Sequence, residues 1–207
     1  GTPLTNETVT AVGFVAGEGV TTHVNGSQTN AGSSKNTFAK PAYEAKAGTD
    51  LNNYKITTAE GTLTVNPVEK EVKVKITGHQ NAVTYDGTEH TVTGYDVTEI
   101  SNTLYTANDF TFSGKAEAAG TDAGTYDMNV QATDFTNIND NFSNVEFVVE
   151  DGQLIISKRD VTLTSGSAEK VYDGTPLTKD KVTVSGDGFV KGEGAEYNVT
   201  GSQTKAG

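Results

Sequence analysis

The chain contains a segment near its start that returns almost unchanged near its end. Residues 1–5 (Gly-Thr-Pro-Leu-Thr) reappear as residues 174–178. Shorter echoes recur at roughly half that spacing, such as Tyr-Asp-Gly-Thr at residues 85–88 and again at residues 172–175. A sequence that repeats in this way predicts a tandem array of similar folding modules rather than one large domain.

The echoes divide the chain into three segments. The first segment, residues 1–67, is predicted to be a partial module that lacks its first strand, and the middle segment, residues 68–158, is predicted to be a complete module. The third segment, residues 159–207, is predicted to be a partial module that lacks its C-terminal half. The repeat length of about 85 to 92 residues is an ordinary size for a small domain. We therefore expect the sequence to be a section of a longer array.

The hydrophobic pattern predicts β-strands nearly throughout. Val72, Val74 and Ile76 alternate with polar residues, which places the apolar side chains on one face of a strand. Abundant threonine favours strands through its branched Cβ, and Asp-Gly pairs supply turns. Residues 102–109 and 136–143 could each hold a helical turn. The predicted fold class is mostly β: small antiparallel modules, sandwich or β-grasp-like, with or without one short helix each, arranged end to end.

Composition excludes several classes of function. The net charge is -12, so the chain would be repelled by the phosphates of nucleic acid and by an anionic membrane, and neither is an expected partner. Without cysteine, neither disulfides nor thiol chemistry are available. The apolar fraction of 34% suffices for several small cores but is low for a catalytic domain of this length.

Three motifs resemble those of a known family of bacterial repeats. They are Tyr-Asp-Gly-Thr-Pro-Leu-Thr at residues 172–178, Ala-Gly-Thr-Tyr at 123–126 and Glu-Gly-Thr-Leu-Thr-Val at 60–65. In this order they are similar to the YDG-type and MBG-type tandem repeats of large bacterial cell-surface, adhesin-like proteins. The resemblance implies an extracellular location, with cell-wall anchoring through regions outside this sequence, and a stalk or adhesive role without catalysis. The middle segment departs from the pattern, with Glu89 and His90 in place of a Pro-Leu pair.

The recurring Tyr-Asp-Gly motif is predicted to be a structural turn. Its members are Tyr85, Asp86, Gly87, Tyr172, Asp173 and Gly174. An Asp-Gly pair favours a turn because glycine accepts a positive φ and the aspartate side chain caps nearby N–H groups. The tyrosine is expected to pack at a strand end. The alternative is a recurring recognition surface.

No cofactor or metal site is predicted. The three histidines are scattered, without a second ligand at zinc spacing. Calcium stays an open alternative because oxygen-bearing side chains cluster at Asp134, Asn137, Asn139, Asp140 and Asn141. That cluster lacks the Asp-x-[Asp/Asn]-x-[Asp/Asn]-Gly loop pattern. No arrangement of nucleophile, base and oxyanion donors is present, so no catalytic residue is assigned and an enzyme is not expected.

A covalent Lys–Asn isopeptide bond inside a module is a further open alternative. Lys73 and Lys75 lie on the predicted first strand of the middle segment, where such a lysine would sit. Because the apolar residues of that strand take the inward face, both lysines are predicted to face solvent. Lysines that face solvent are not placed to form a bond inside the module, so the cross-link is disfavoured.

Two functions follow from the sequence. The first is a non-catalytic stalk or spacer repeat, whose partners are the neighbouring repeat modules of the same protein. The alternative is an adhesive module that binds a host glycan or surface protein through aromatic side chains. The candidates are Tyr95, Tyr105, Phe110 and Phe112. Three or more exposed rings on one face would favour binding, whereas alternating burial would place them in a core.

The partial modules also predict self-association. A first segment without its leading strand would expose an unpaired sheet edge. The third segment keeps the corresponding stretch, residues 161–172. One copy could therefore supply residues 161–172 to the first segment of another copy, which would give head-to-tail association by strand addition.

Overall fold

The computed structural model describes residues 1–206, and its regular structure is almost entirely extended. The first segment holds β1 (Val20–Val24), β2 (Gly32–Asn36), β3 (Phe38–Ala45) and β4 (Gly61–Val65). The middle segment holds β5 (Val72–Gly78), β6 (Gln80–Thr84), β7 (His90–Thr93), β8 (Tyr95–Ile100), β9 (Phe110–Phe112), β10 (Glu117–Gly120), β11 (Gly124–Asp127), β12 (Phe135–Asn137), β13 (Val145–Glu150) and β14 (Gln153–Ser157). The third segment holds β15 (Val161–Ser165), β16 (Leu177–Thr178), β17 (Val182–Gly186) and β18 (Ser202–Gln203).

Helical structure within residues 1–206 is limited to the short 3₁₀ turns Leu51–Asn53, Ala107–Asp109 and Ala132–Asp134. The second of these lies inside the stretch 102–109 that was predicted to hold a helical turn. The corresponding prediction for residues 136–143 is wrong. There asparagine side chains accept hydrogen bonds from nearby backbone N–H groups, which competes with helix formation.

The strands pair in small sheets of two or three strands, which confirms the predicted mostly β, largely antiparallel fold class. One three-stranded sheet has the order β13-β5-β8 and another the order β11-β14-β6. In the second sheet, β14 pairs with β11 in the antiparallel direction and with β6 in the parallel direction.

Strand pairing repeats along the chain as the sequence does. Antiparallel pairing joins Leu4 with Gln28, His90 with Gly120 and Leu177 with Gln203, one pair in each segment. The pair β2–β4 in the first segment has its counterpart in β11–β14 in the middle segment, with the repeat-related glycines Gly32 and Gly124 at matching positions. The sequence repeat is therefore also a repeat of topology.

The chain forms two compact units. Unit 1 comprises Gly1–Val74, Glu99–Phe112 and Phe135–Phe147, and unit 2 comprises Lys75–Thr98, Ser113–Asp134 and Val148–Gly207. The core of unit 1 contains Val20, Leu63, Val72, Val74, Tyr105, Phe110, Phe135 and Phe142. The core of unit 2 contains Ile76, Ala118, Met128, Val130, Leu154 and Ile156. The middle segment contributes to both units.

Strand β5 shows the alternation that its sequence predicts. Val72, Val74 and Ile76 are at most 1% exposed, whereas Lys73 and Lys75 are exposed. The outward direction predicted for the two lysines is thus confirmed. Burying the apolar face of β5 contributes about 1.5–3 kcal/mol per fully buried side chain, which makes this strand a central support of the fold.

Candidate functional site

The boundary between the first and middle segments is built by asparagines at every second position. Asn137 Oδ1 accepts from the backbone N–H of Asn139 at 3.0 Å, and Asn139 Oδ1 accepts from that of Asn141 at 3.0 Å. Asn141 Oδ1 then accepts from the backbone N–H of Ala31 at 2.6 Å, which links the middle segment to the first. We call Asn137, Asn139 and Asn141 the asparagine ladder.

The asparagine ladder is anchored in the core of unit 1. The Tyr105 hydroxyl donates to Asn137 Oδ1 at 3.0 Å, and Asn139 Nδ2 donates to Asp109 Oδ1 at 2.7 Å. Burial, with a smaller contribution from the charge of Asp109, raises the pKa of Tyr105 to about 12. Tyr105 therefore stays a protonated donor at every physiological pH, and the ladder keeps its anchor.

These contacts engage several side-chain oxygens of the stretch considered for calcium in hydrogen bonds. Asn137 Oδ1 accepts from both Tyr105 and Asn139, which occupies its two lone pairs. Asp134 Oδ2 accepts from the backbone N–H of Gln131 at 2.8 Å. Among residues 1–206, no three His, Cys, Asp or Glu side chains converge as metal ligands would. Asn137, Asn139 and Asn141 therefore have a structural role in this fold.

A second group of polar contacts joins the middle and third segments around Arg159. Its Nε donates to the carbonyl of Gly188 at 2.7 Å, and its Nη2 donates to that of Asp187 at 2.7 Å. Tyr85, from the middle segment, donates its hydroxyl to the Glu193 carboxylate of the third. The hydrogen bond to Glu193 is the main cause that raises the pKa of Tyr85. We call Arg159, Tyr85 and their partners the arginine clamp.

The guanidinium suits this position because its planar fork holds several donors in one fixed geometry. A third donor, Nη1, lies 3.5 Å from the carbonyl oxygen of Tyr85, so Arg159 contacts backbone on both sides of the boundary. A Cβ added to Gly87 would lie only 2.8 Å from Val190 Cγ1, so apolar contact accompanies the polar one. Together these contacts fix the short connection between the two segments.

The two copies of the Tyr-Asp-Gly motif share one local structure. Asp86 Oδ1 accepts from the N–H and hydroxyl of Thr88 at 2.9 and 2.7 Å, and Asp173 Oδ1 accepts from those of Thr175 at 2.9 and 2.8 Å. The intervening glycines have φ values of 79° and 77°, which favour glycine. Tyr85 is half-buried at the end of β6, but Tyr172 is 67% exposed and does not pack as expected.

Hydrogen bonding also sets the charge state of these turns. Bonds from the Thr88 hydroxyl and backbone, and then from His90, lower the pKa of Asp86 to about 2. Bonds from Lys170 and then from Thr175 lower the pKa of Asp173 to about 2. Both turns therefore carry a stable negative charge at neutral pH.

The aromatic residues predicted to bind a ligand are largely internal. Tyr105 is 2% exposed and Phe110 is 8% exposed, while Tyr95 and Phe112 are half-buried. In unit 1, Phe110 packs edge-on against Phe135 and Phe147, with ring centroids 5.9 and 5.2 Å apart. The condition of three or more exposed rings is not met. This arrangement supports a role for Tyr105 and Phe110 in the core, and a ligand-binding role for the four residues stays a prediction.

Lys73 lies in an environment that keeps its amine charged. Its Nζ lies 2.8 Å from a carboxylate oxygen of Glu146 and 3.3 Å from one of Glu71. Hydrogen bonds to Glu146 and then to Glu71 raise the pKa of Lys73. A protonated amine has no lone pair with which to attack an amide, so these contacts disfavour Lys73 as the nucleophile of an isopeptide bond.

Sequence reasoning missed the two groups of residues that join the segments. The asparagine ladder was recognised only as a set of oxygen-bearing side chains. Arg159 was not singled out, although it is the sole arginine of the sequence and stands at a predicted boundary. A unique residue type at a boundary was the signal that could have identified it.

The comparisons with known proteins agree with the repeat pattern. The family model described as the MBG domain matches residues 72–158, which confirms the predicted resemblance to MBG-type repeats. No curated protein and no solved structure matches the chain. Within residues 1–206, no helix has the length and apolar character needed to cross a membrane. Residues 72–158 are therefore similar to the MBG-type repeat, a module found in bacterial surface proteins.

Proposed function

We propose that this chain is a spacer: a non-catalytic stalk section of a bacterial cell-surface, adhesin-like protein, anchored to the cell wall through regions outside this sequence. The MBG family is not a known enzyme family, and it occurs in surface proteins. The observation that carries the proposal is that hydrogen bonds cross both segment boundaries: Ala31 to Asn141 in the asparagine ladder, and Tyr85 to Glu193 and Arg159 to the Tyr85 carbonyl in the arginine clamp. Contacts of this kind hold each segment to the next one along the chain.

The connections between segments are short as well as bonded. β14 ends at Ser157 and β15 begins at Val161, so only residues 158–160 connect the middle and third segments. A flexible spacer would use a longer Gly- or Ser-rich linker, which behaves as a random coil. Here the connection includes Arg159, whose side chain contacts backbone on both sides. Bending at this boundary would break those bonds.

The arginine clamp can be tested by measuring distances across the boundary. Since the described residues include no cysteine, Thr121→Cys and Ser167→Cys would give two unique spin-label sites, both exposed in unit 2. Double electron–electron resonance should give a narrow distance distribution in the otherwise unchanged chain. Arg159→Ala should broaden it, and Lys158→Ala, which removes the adjacent exposed cation, should leave it narrow. Equal widths for the parent chain and Arg159→Ala would contradict the spacer mechanism.

The alternative function, adhesion to a host glycan or surface protein, has less support. It depends on the aromatic set Tyr95, Tyr105, Phe110 and Phe112, of which Tyr105 and Phe110 are buried. A glycan-binding platform needs aromatic faces that reach the ligand. The segment-spanning hydrogen bonds favour the spacer.

A further inference from the structure

A strand near the start of the middle segment pairs in the parallel direction with the last strand of that segment, within unit 2. β6 pairs with β14 over five residue pairs, from Gln80 opposite Gln153 to Thr84 opposite Ser157. One more hydrogen bond extends the pairing, because the Tyr85 N–H donates to the Ser157 carbonyl at 2.9 Å. The other edge of β14 pairs with β11 in the antiparallel direction, so β14 is held from both edges.

The same direction of pairing occurs where the chain enters the middle segment, within unit 1. Val68 and Phe142 form a parallel bridge. The Val72 N–H donates to the Asn144 carbonyl at 2.9 Å. In each unit, therefore, the stretch that enters the middle segment runs beside the stretch that leaves it, in the same direction.

Parallel pairing determines how a pulling force acts on these strands. Tension along the chain pulls β6 back toward His79 and pulls β14 forward toward Lys158. The two strands are then loaded in opposite directions along their common axis, so the five residue pairs share the load. Strands that are pulled from the same end of a pair separate one residue pair at a time instead. Breaking the hydrogen bonds together needs a higher force than breaking them in sequence.

Burial strengthens the hydrogen bonds between β6 and β14. Leu154 and Ile156 of β14 are at most 2% exposed, and Val83 of β6 is half-buried. A hydrogen bond away from water is electrostatically stronger, because the local dielectric constant is lower. One face of the paired strands is thus shielded by the core of unit 2.

We propose that the middle segment bears tensile load, with β6 and β14 as the strands that resist it. We call these two strands the shear pair. This function goes beyond that of a spacer, since modules held in line could still unfold under a low force. It rests on the proposed function in one respect: tension arises only in a chain that is anchored on one side and held on the other. The property that is measured is the unfolding rate under force.

The direction of pulling tests the proposal on the full chain. The sequence has no cysteine, so a pair of introduced cysteines can attach DNA handles for optical tweezers at chosen points. Lys70→Cys with Lys158→Cys loads the shear pair along its axis. Glu89→Cys with Lys158→Cys pulls both strands from one end, just beyond β6 and β14. All three positions are exposed. The mean unfolding force should be several-fold higher in the first geometry, and equal forces would overturn the proposal.

The backbone of β6 supplies a matched pair of variants. The N–H of Tyr85 points to β14, and N–H groups alternate in direction along a strand. The N–H of Asn81 therefore also points to β14, whereas that of Ala82 points to the edge of β6 that has no strand partner among the described residues. Asn81→Pro removes one hydrogen bond of the shear pair. Ala82→Pro removes only an outward N–H, which an edge strand tolerates. Both side chains are exposed.

The two proline variants should differ in their unfolding rates under load. At constant force between the cysteines at positions 70 and 158, Asn81→Pro should unfold about fivefold faster, which corresponds to a bond of about 1 kcal/mol. Ala82→Pro should change the rate by about twofold or less. Circular dichroism would first establish that each variant is folded, and the comparison of pulling directions needs neither proline. Equal rates for the two variants would overturn the assignment of β6 and β14 as the load-bearing strands.

These outcomes can be distinguished from a failure of the spacer function. The handles at positions 70 and 158 lie inside the middle segment, so the hydrogen bonds that cross the segment boundaries are outside the loaded path. Equal forces in the two pulling directions, together with a narrow distance distribution across the boundary, would contradict the load-bearing role alone. A broad distance distribution with unequal forces would contradict the spacer alone.

Discussion

At the scale of single residues, the recurring turns depend on one carboxylate each. Asp86 accepts both hydrogen bonds of Thr88, and these bonds lower its pKa to about 2. A carboxyl group with a pKa lower in the folded than in the unfolded chain stabilises the fold above its unfolded pKa of about 3.9. This contribution is lost as the pH falls through about 2.

Substitution of Asp86 should therefore change the acid sensitivity of the fold. Asp86→Asn keeps an acceptor oxygen but removes the titratable group, so the melting temperature should depend less on pH between about 4 and 2 than in the parent chain. Asp180→Asn, an exposed position outside both turns, is the control. Thermal unfolding followed by circular dichroism provides the measurement. An unchanged pH profile for Asp86→Asn would show that the turn does not contribute to stability.

The contribution of the asparagine ladder to stability can be tested at one side-chain amide, that of Asn141. Asn141→Ala removes the acceptor for the Ala31 N–H and leaves that half-buried group without its partner. The expected cost in the free energy of unfolding is about 1–3 kcal/mol. Asn144→Ala, at an exposed position three residues further, should cost less than about 0.5 kcal/mol. Urea denaturation distinguishes the two, and equal costs would mean that the ladder does not stabilise the boundary.

At the scale of strands, burial alternates within β14 and predicts losses of stability of very different size at adjacent residues. Leu154 is fully buried, and Leu154→Ala should lower the free energy of unfolding by about 2–5 kcal/mol because it leaves a cavity. Ile155 is 38% exposed, so Ile155→Ala should cost about 1 kcal/mol or less. Denaturant unfolding of the two variants measures the difference. A larger cost at Ile155 would contradict the register of β14.

The sequence predicted strands where alternation is regular and failed where side chains bind the backbone. β5 was evident from its period-two alternation, because apolar and polar side chains that alternate lie on opposite faces of a strand. Residues 126–130 show the same alternation, yet β11 ends at Asp127. Asn129 has a φ of 61°, and the Asp151 carboxylate accepts from the N–H groups of Asn129 and Val130 at 2.9 Å each. A side chain distant in sequence thus replaces a strand partner.

At the scale of the whole molecule, the repeat and its family were accessible from sequence, but the contacts at the segment boundaries were not. Asn141 and Ala31 are 110 residues apart, and Tyr85 and Glu193 are 108 residues apart. No local pattern specifies a partner at that distance. The same holds for the aromatic residues that were candidates for ligand binding. The local sequence around Tyr105 and Phe110 fits exposed rings on a surface as well as buried rings in a core. Their burial is a property of the folded chain.

Small-angle scattering from tandem arrays can show whether the chain is a spacer with fixed boundaries between its segments. Arrays with one, two and four copies of residues 1–173, which contain both segment boundaries and join in the register of the repeat, would be compared at low protein concentration. For a spacer, the maximum dimension should increase by a constant increment with each added copy, because bonded boundaries and short connections limit bending. A maximum dimension that grows only slowly with copy number, as it does when modules fold back on one another, would contradict it.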